Sequence, residues 1–144
     1  SQASVAVDGE QIASIGPGVL LLLGVEKEDG EREARELCRK ILTYRVFPDD
    51  AGRMNRSLSD IGGSLLVVPQ FTLAADTSSG TRPGFSLAAE PDLAIKLYQS
   101  FLTDARSQLG PDKVSEGKFG ADMKVGLIND GPVTFLLESR KKRA

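Results

Sequence analysis

The sequence predicts an α/β fold of layered, mixed sheets with two helices. Three observations carry that expectation. Two alternating segments flank Asp8-Gly9, two aliphatic runs are bounded by glycine and proline, and two longer stretches repeat apolar residues at helical spacing. Strand-like segments predominate at both ends and the helical ones lie between, which is the pattern of sheets covered by helices in layers.

Residues 4–7 (SVAV) alternate into Asp8-Gly9 and resume as residues 11–15 (QIASI). Asp-Gly between alternating runs signals a hairpin, because both central turn positions take φ > 0. Gly16-Pro17-Gly18 breaks the pattern, and residues 19–25 (VLLLLGV) read as a strand buried on both faces. A polar turn over residues 26–30 leads into an amphipathic helix from Glu31 to about Val46, with Ala34, Leu37, Cys38, Ile41 and Leu42 on one face. Cys38 therefore reads as a small buried hydrophobe. Residues 48–59 read as a polar connection, in which Asn55-Arg56-Ser57 is a formal glycosylation acceptor without the secretory signal that would make it meaningful.

Residues 64–73 (SLLVVPQFTL) read as a second buried strand, where Pro69 marks an edge, a bulge or the strand's end because it cannot donate to a ladder. Residues 76–85 (DTSSGTRPGF) form a turn-rich loop. Pro91 suits the first turn of a second helix bearing Leu93, Ala94, Leu97, Tyr98, Phe101, Leu102 and Ala105, which Gly110-Pro111 stops. Short strand-like stretches follow around Val114, over residues 124–128 and over residues 133–137. The sequence ends in the basic tail Arg140-Lys141-Lys142-Arg143.

With 144 residues the chain is expected to form one domain, residues 1–144, large enough to bury roughly 68–70% of its unfolded surface. Its 18 basic and 20 acidic residues give a net charge of −2, so any contact with a phosphate backbone must be local. A single cysteine excludes an internal disulfide and favours a reducing compartment, and no apolar run is long enough to span a bilayer. Cytoplasm is the expected location, with no membrane partner.

The count of zero histidines is the most restrictive. Ser-His-Asp, Cys-His and His-rich zinc sites cannot be built, so acid–base work falls to carboxylates, Lys, Tyr, backbone groups or the substrate. Glu26, Glu28, Asp29 and Glu31 cluster without calcium-loop spacing and read as a solvated charge run, so no metal is expected. Gly117-Lys118 lacks the rest of a phosphate-cradling loop. Two stretches suit chemistry. Gln70-Phe71-Thr72 follows a buried strand and would present an amide and a hydroxyl near free backbone N–H groups. Asn129-Asp130-Gly131-Pro132-Val133-Thr134 sets Gly-Pro between strands, where carbonyls can face a ligand with no Cβ in the way. By spacing alone each also fits an ordinary turn, and a Thr nucleophile would lack an activating histidine.

These residues resemble the D-aminoacyl-tRNA deacylase family of editing enzymes. The likeness runs almost the full chain: the Asp8-Gly9 hairpin, Leu22-Leu23-Gly24-Val25, Tyr44-Arg45-Val46-Phe47, Lys118-Phe119-Gly120-Ala121-Asp122-Met123, and two signatures. Those are Ser-Gln-Phe-Thr-Leu, here Pro69-Gln70-Phe71-Thr72-Leu73, and Asn-x-Gly-Pro-Val-Thr, here residues 129–134. Three departures stand out: Pro69 replaces the signature Ser, Gly84 replaces a common Ser, and the strand that precedes Ser1 in the family is missing.

The resemblance implies a layered homodimer that hydrolyses the ester joining a D-amino acid to tRNA, or glycine mischarged on tRNA for alanine, without cofactor or metal. It implies Gln70, Phe71 and Thr72 as catalytic, their backbone N–H groups stabilising the oxyanion and the substrate's 2′-hydroxyl assisting. It implies Gly131 and Pro132 as substrate-binding, joined by a cis peptide whose carbonyls enter the partner's active site and exclude L side chains. The expected partners are aminoacyl-tRNA and a second copy of the chain. The rival reading is a non-catalytic nucleic-acid-binding dimer of the same fold, favoured by the basic tail and by the loss of the Ser at position 69.

Overall fold

The computed structural model describes residues 1–139. In chain order they form β1 (Gln2–Val7), β2 (Glu10–Ile15), β3 (Gly18–Leu23), α1 (Glu31–Thr43), β4 (Phe47–Pro48), β5 (Met54–Arg56), α2 (Leu58–Ile61), β6 (Ser64–Pro69), α3 (Pro91–Leu109), β7 (Val114–Glu116) and β8 (Met123–Ile128). Asp8 and Gly9 take φ of 52° and 79°, the positive values their turn requires, and close the hairpin of β1 and β2. β8 pairs antiparallel with the other edge of β1, giving the order β2-β1-β8. A second sheet is wholly parallel, in the order β3-β6-β7, and β4 and β5 form a small antiparallel ribbon.

The strand β6 explains the layering. Its side chains alternate: Leu65 and Val67 pack among Cys38, Leu42, Leu58, Phe101 and Leu102 under the helices. Leu66 and Val68 pack on Ala3 and Val5 of the antiparallel sheet. All four are buried, each contributing about 1.5–3 kcal/mol, so the molecule stacks sheet on sheet on helices about this strand. α3 starts with Pro91 in its first turn and buries Ala94, Leu97, Tyr98, Phe101, Leu102 and Ala105. α1 buries Cys38, Ile41 and Leu42. The buried Cys38 agrees with the expectation of a core residue.

Several expectations are corrected. There are three α-helices, not two, because Ser57 caps the four-residue α2: Asp60 N–H donates to Ser57 Oγ at 3.1 Å and Ser57 N–H to Asp60 Oδ2 at 2.8 Å. β3 is not buried on both faces. It is the edge of the parallel sheet, and Leu22 is 43% exposed where Leu23 is buried. The second aliphatic run ends as a strand at Pro69, and Phe71–Ala74 coil into a 3₁₀ turn. α1 stops at Thr43, with extended backbone at Tyr44. Residues 133–137 form no strand; Phe135 instead rests on Tyr44, their rings 5.8 Å apart. Arg140-Lys141-Lys142-Arg143 lies outside the described residues.

Candidate active site

Ligands of open parallel sheets bind beyond the carboxyl ends of the strands. Here those ends bring together Gly24 after β3, Gln70 after β6 and Gly117 after β7. Gln70 N–H donates to Leu23 O and Gly117 N–H to Val67 O, both at 2.8 Å. From below, the buried Tyr98 hydroxyl donates to Val67 O at 3.1 Å, and burial pushes its pKa up. The end of β6 is thus held from both neighbours and from α3.

Beyond it the chain turns sharply. Leu73 N–H donates to Gln70 O at 3.2 Å and Ala75 N–H to Thr72 O at 3.1 Å. The amides of Phe71 and Thr72 are the first of a 3₁₀ turn, which leaves such groups without an intrahelical acceptor. Among the described residues neither has a hydrogen-bond partner. Gln70 Nε2 donates to Thr72 Oγ1 at 2.5 Å, so the hydroxyl is held as an acceptor beside an amide that cannot take its proton. Gly24 fits closely over this turn: a Cβ there would lie 3.0 Å from Leu73 Cβ and 3.1 Å from Gln70 O.

The ring of Phe71 is 59% exposed and stands 5.3 Å from that of Phe85, itself 44% exposed, at a tilt of 49°. Phe85 is carried on the loop over residues 76–85, pinned by Asp76 N–H to Gly84 O at 2.7 Å and Gly84 N–H to Asp76 O at 2.9 Å. The Asp76 carboxylate accepts from the Ser78 hydroxyl and N–H, which hold it below the usual carboxylate range.

The second motif folds on itself. Val133 N–H donates to Asn129 Oδ1 at 3.1 Å, and Asn129 Nδ2 donates to Thr134 Oγ1 at 3.0 Å. The Gly131-Pro132 peptide is cis, as the resemblance implies, and Gly131 sits at φ 118°. A Cβ at Gly131 would lie 2.7 Å from Val133 Cγ2. Among the described residues no hydrogen bond or ion pair of one chain joins this loop to Gln70, Phe71 or Thr72.

A cavity of about 1110 Å³ opens along the free edge of β3, and Leu73, Ala74, Gly131 and Val133 line it while Gln70, Phe71, Thr72 and Pro132 do not. Cys38 is no nucleophile here, being fully buried, its thiol pushed up to about 12 first by burial and then by Asp104. No helix among the described residues is long and apolar enough to cross a membrane. Sequence reading missed Gly24, Gly117, Tyr98 and Phe85 at this end of the sheet. Gly24 was signalled only by its position directly after an apolar run, Gly117 by no pattern around it, and Phe85 by nothing beyond its aromatic ring in a polar loop.

A family model described as D-Tyr-tRNA(Tyr) deacylase matches residues 1–138. The chain belongs to this family. A D-aminoacyl-tRNA deacylase of Marinobacter nauticus is 70% identical over 142 residues, covering 99% of this chain and 91% of the relative. One from Teredinibacter turnerae is 55% identical over 139 residues, covering 96% and 94%. A solved structure named c-Myc DNA Unwinding Element Binding Protein superposes with a TM-score of 0.93 at 44% identity, covering 97% of this chain and 94% of the other. The family resemblance drawn from the two motifs is therefore borne out across nearly the whole described chain.

Proposed function

We propose that the chain hydrolyses the ester bond of D-aminoacyl-tRNA, acting in the cytoplasm as a proofreader of translation. The observation that carries the chemistry is the pair of partnerless N–H groups of Phe71 and Thr72, in a member of the deacylase family. Two fixed donors suit a tetrahedral oxyanion, where one such donor is worth about 10²–10³ in kcat. Gln70 steers the Thr72 hydroxyl, and the 2′-hydroxyl of the substrate takes the proton-transfer role for which this chain offers no histidine. The reaction needs neither metal nor cofactor in this reading.

Gly131 and Pro132 serve as the chiral gate. Their carbonyls face the aminoacyl group and leave no room for an L side chain, while a D side chain points elsewhere and glycine on tRNA for alanine has none. The gate belongs to a partner copy, so the working unit is a homodimer. Support comes from the lack of any bond between residues 129–134 and Gln70-Phe71-Thr72 within one chain, and from the exposed apolar edge at Leu22, Leu127, Ile128, Phe135 and Leu136.

Release of D-Tyr from D-Tyr-tRNA, with L-Tyr-tRNA left intact, is the expected outcome. Gly131→Ala, which crowds Val133 at a φ unsuited to a Cβ, should lower the ratio of kcat/KM for the D over the L substrate with the circular dichroism unchanged. An unchanged ratio would remove the gate from the mechanism. The rival, a nucleic-acid-binding dimer without catalysis, is favoured by the name of the solved relative at 44% identity. Salt-sensitive binding of duplex DNA with no deacylation would select it.

A further inference from the structure

We infer that the Tyr98 hydroxyl is a positioning group for the deacylase site, standing in for the ladder hydrogen bond that Pro69 removes, a role that rests on the deacylase reading and adds to it a residue behind the site. In a parallel sheet the residues of a central strand bond alternately to its two neighbours. Val67 O accepts from Gly117 N–H on the β7 side, and Gln70 N–H donates to Leu23 O on the β3 side. Position 69 therefore faces β7, where an amide would donate to Gly117 O. Proline has no such hydrogen. Its ring fills the place instead: a Cβ on Gly117 would lie 3.5 Å from Pro69 Cδ.

Gly117 is buried, and a buried carbonyl deprived of its ladder donor is costly unless another group reaches it. Tyr98 reaches it from α3. Its hydroxyl lies 3.1 Å from Val67 O and 3.5 Å from Gly117 O, between the carbonyls that flank the missing rung. Among the described residues Gly117 O has no other donor. The ring is buried and stands 6.2 Å from that of Phe119, and burial pushes the pKa up, so the hydroxyl stays a donor. The same helix grips the end of β7 a second time, through Arg106 Nη2 donating to Glu116 Oε2 at 2.7 Å. Beyond Val67 no further backbone hydrogen bond joins β6 to β7 among the described residues. The free amides of Phe71 and Thr72 begin two residues after Pro69, so their direction depends on this anchor.

The test is a double-mutant cycle of Tyr98→Phe, which keeps the ring and removes the hydroxyl, and Pro69→Ala, which returns an amide hydrogen to position 69. Tyr98→Phe alone should lower kcat for D-Tyr-tRNA about 10-fold, short of the ~10²-fold that a 1 Å misplacement costs, with KM within a few-fold. It should also speed hydrogen exchange of the Gln70 amide. In the Pro69→Ala chain the same change should lower kcat by less than about 3-fold and leave Gln70 exchange slow. Unchanged kcat in folded Tyr98→Phe overturns the role, and so does a rise in KM alone. Equal losses in both backgrounds overturn it too, since the hydroxyl then acts independently of the missing rung. If Tyr98→Phe does not fold by itself, the double variant decides: a folded, active chain upholds the exchange of one hydrogen bond for the other, and an unfolded one overturns it. If wild-type protein deacylates nothing, the deacylase reading fails separately, and Gln70 exchange across the four chains still judges the anchor.

Discussion

β3 and β6 are six-residue aliphatic strands paired in parallel with each other, Leu20 beside Leu66 and Leu22 beside Val68, yet they have opposite environments. β6 has a neighbour on each edge and a layer on each face, so Leu65, Leu66, Val67 and Val68 are all buried. β3 lacks a neighbour on one edge, where the cavity opens, and of its leucines only Leu23 is buried. Apolar composition says that a strand avoids water. It does not say whether the same chain supplies the cover.

The largest test of this contrast is a matched pair of truncations. Leu66→Ala should cost about 2–5 kcal/mol, since a fully buried site leaves a cavity, whereas Leu22→Ala in the dilute monomer should stay within about 0.5 kcal/mol. Urea unfolding of both variants reads the difference. If Leu22→Ala becomes costly only at high protein concentration, the missing cover of β3 is a second copy.

At its far end β3 touches the candidate site through Gly24, which gives a smaller and more selective test. A methyl group there meets Leu73 Cβ at 3.0 Å and Gln70 O at 3.1 Å, so Gly24→Ala should displace the turn by a few tenths of an ångström. Misplacement of reacting groups costs up to about 10²-fold per ångström, so kcat/KM should fall by less than that, with the urea midpoint nearly unchanged. A loss of stability with intact activity would make Gly24 a packing residue only.

The smallest effect concerns Cys38, on the helical side of β6. Its folded pKa, about 12, lies above the ordinary 9.0, so the neutral thiol is favoured by folding. That contribution is complete below pH 9 and is lost as the pH rises toward about 12. At pH 9 iodoacetamide should alkylate the native protein more slowly than the urea-unfolded chain by a factor on the order of 10²–10³ from ionisation alone. Equal rates would place the thiol in water.

Much of this architecture was legible in the residues because local chemistry dictated it. Asp8-Gly9 specified its hairpin, Pro91 and Gly110 bounded α3, and the stripe through Cys38, Ile41 and Leu42 set the buried face of α1. What was not legible depended on distant partners. The edge position of β3 is decided by sheet order, and residues 133–137 alternate well enough for a strand but have none beside them to pair with among the described residues. The short α2 was legible in principle, since Ser57 and Asp60 are a capping pair hidden in a polar stretch. At the site, Gln70-Phe71-Thr72 and Gly131-Pro132 stood out as motifs, whereas Phe85 is brought to Phe71 only by a loop closure that no local pattern encodes.

The position of Pro69 as the final residue of β6 has a consequence for amide hydrogen exchange. Val67 and Val68 lie in a strand laddered on both sides, so their amides should exchange only when the whole molecule opens. Pro69 carries no amide hydrogen, and Gln70 N–H is still tied to Leu23 O. Immediately after it, Phe71 and Thr72 should exchange at close to the rate of an unstructured peptide. A slow reporter, Val68, and a fast one, Phe71, are then only three residues apart, so the two free amides are open to solvent and yet anchored to the end of β6.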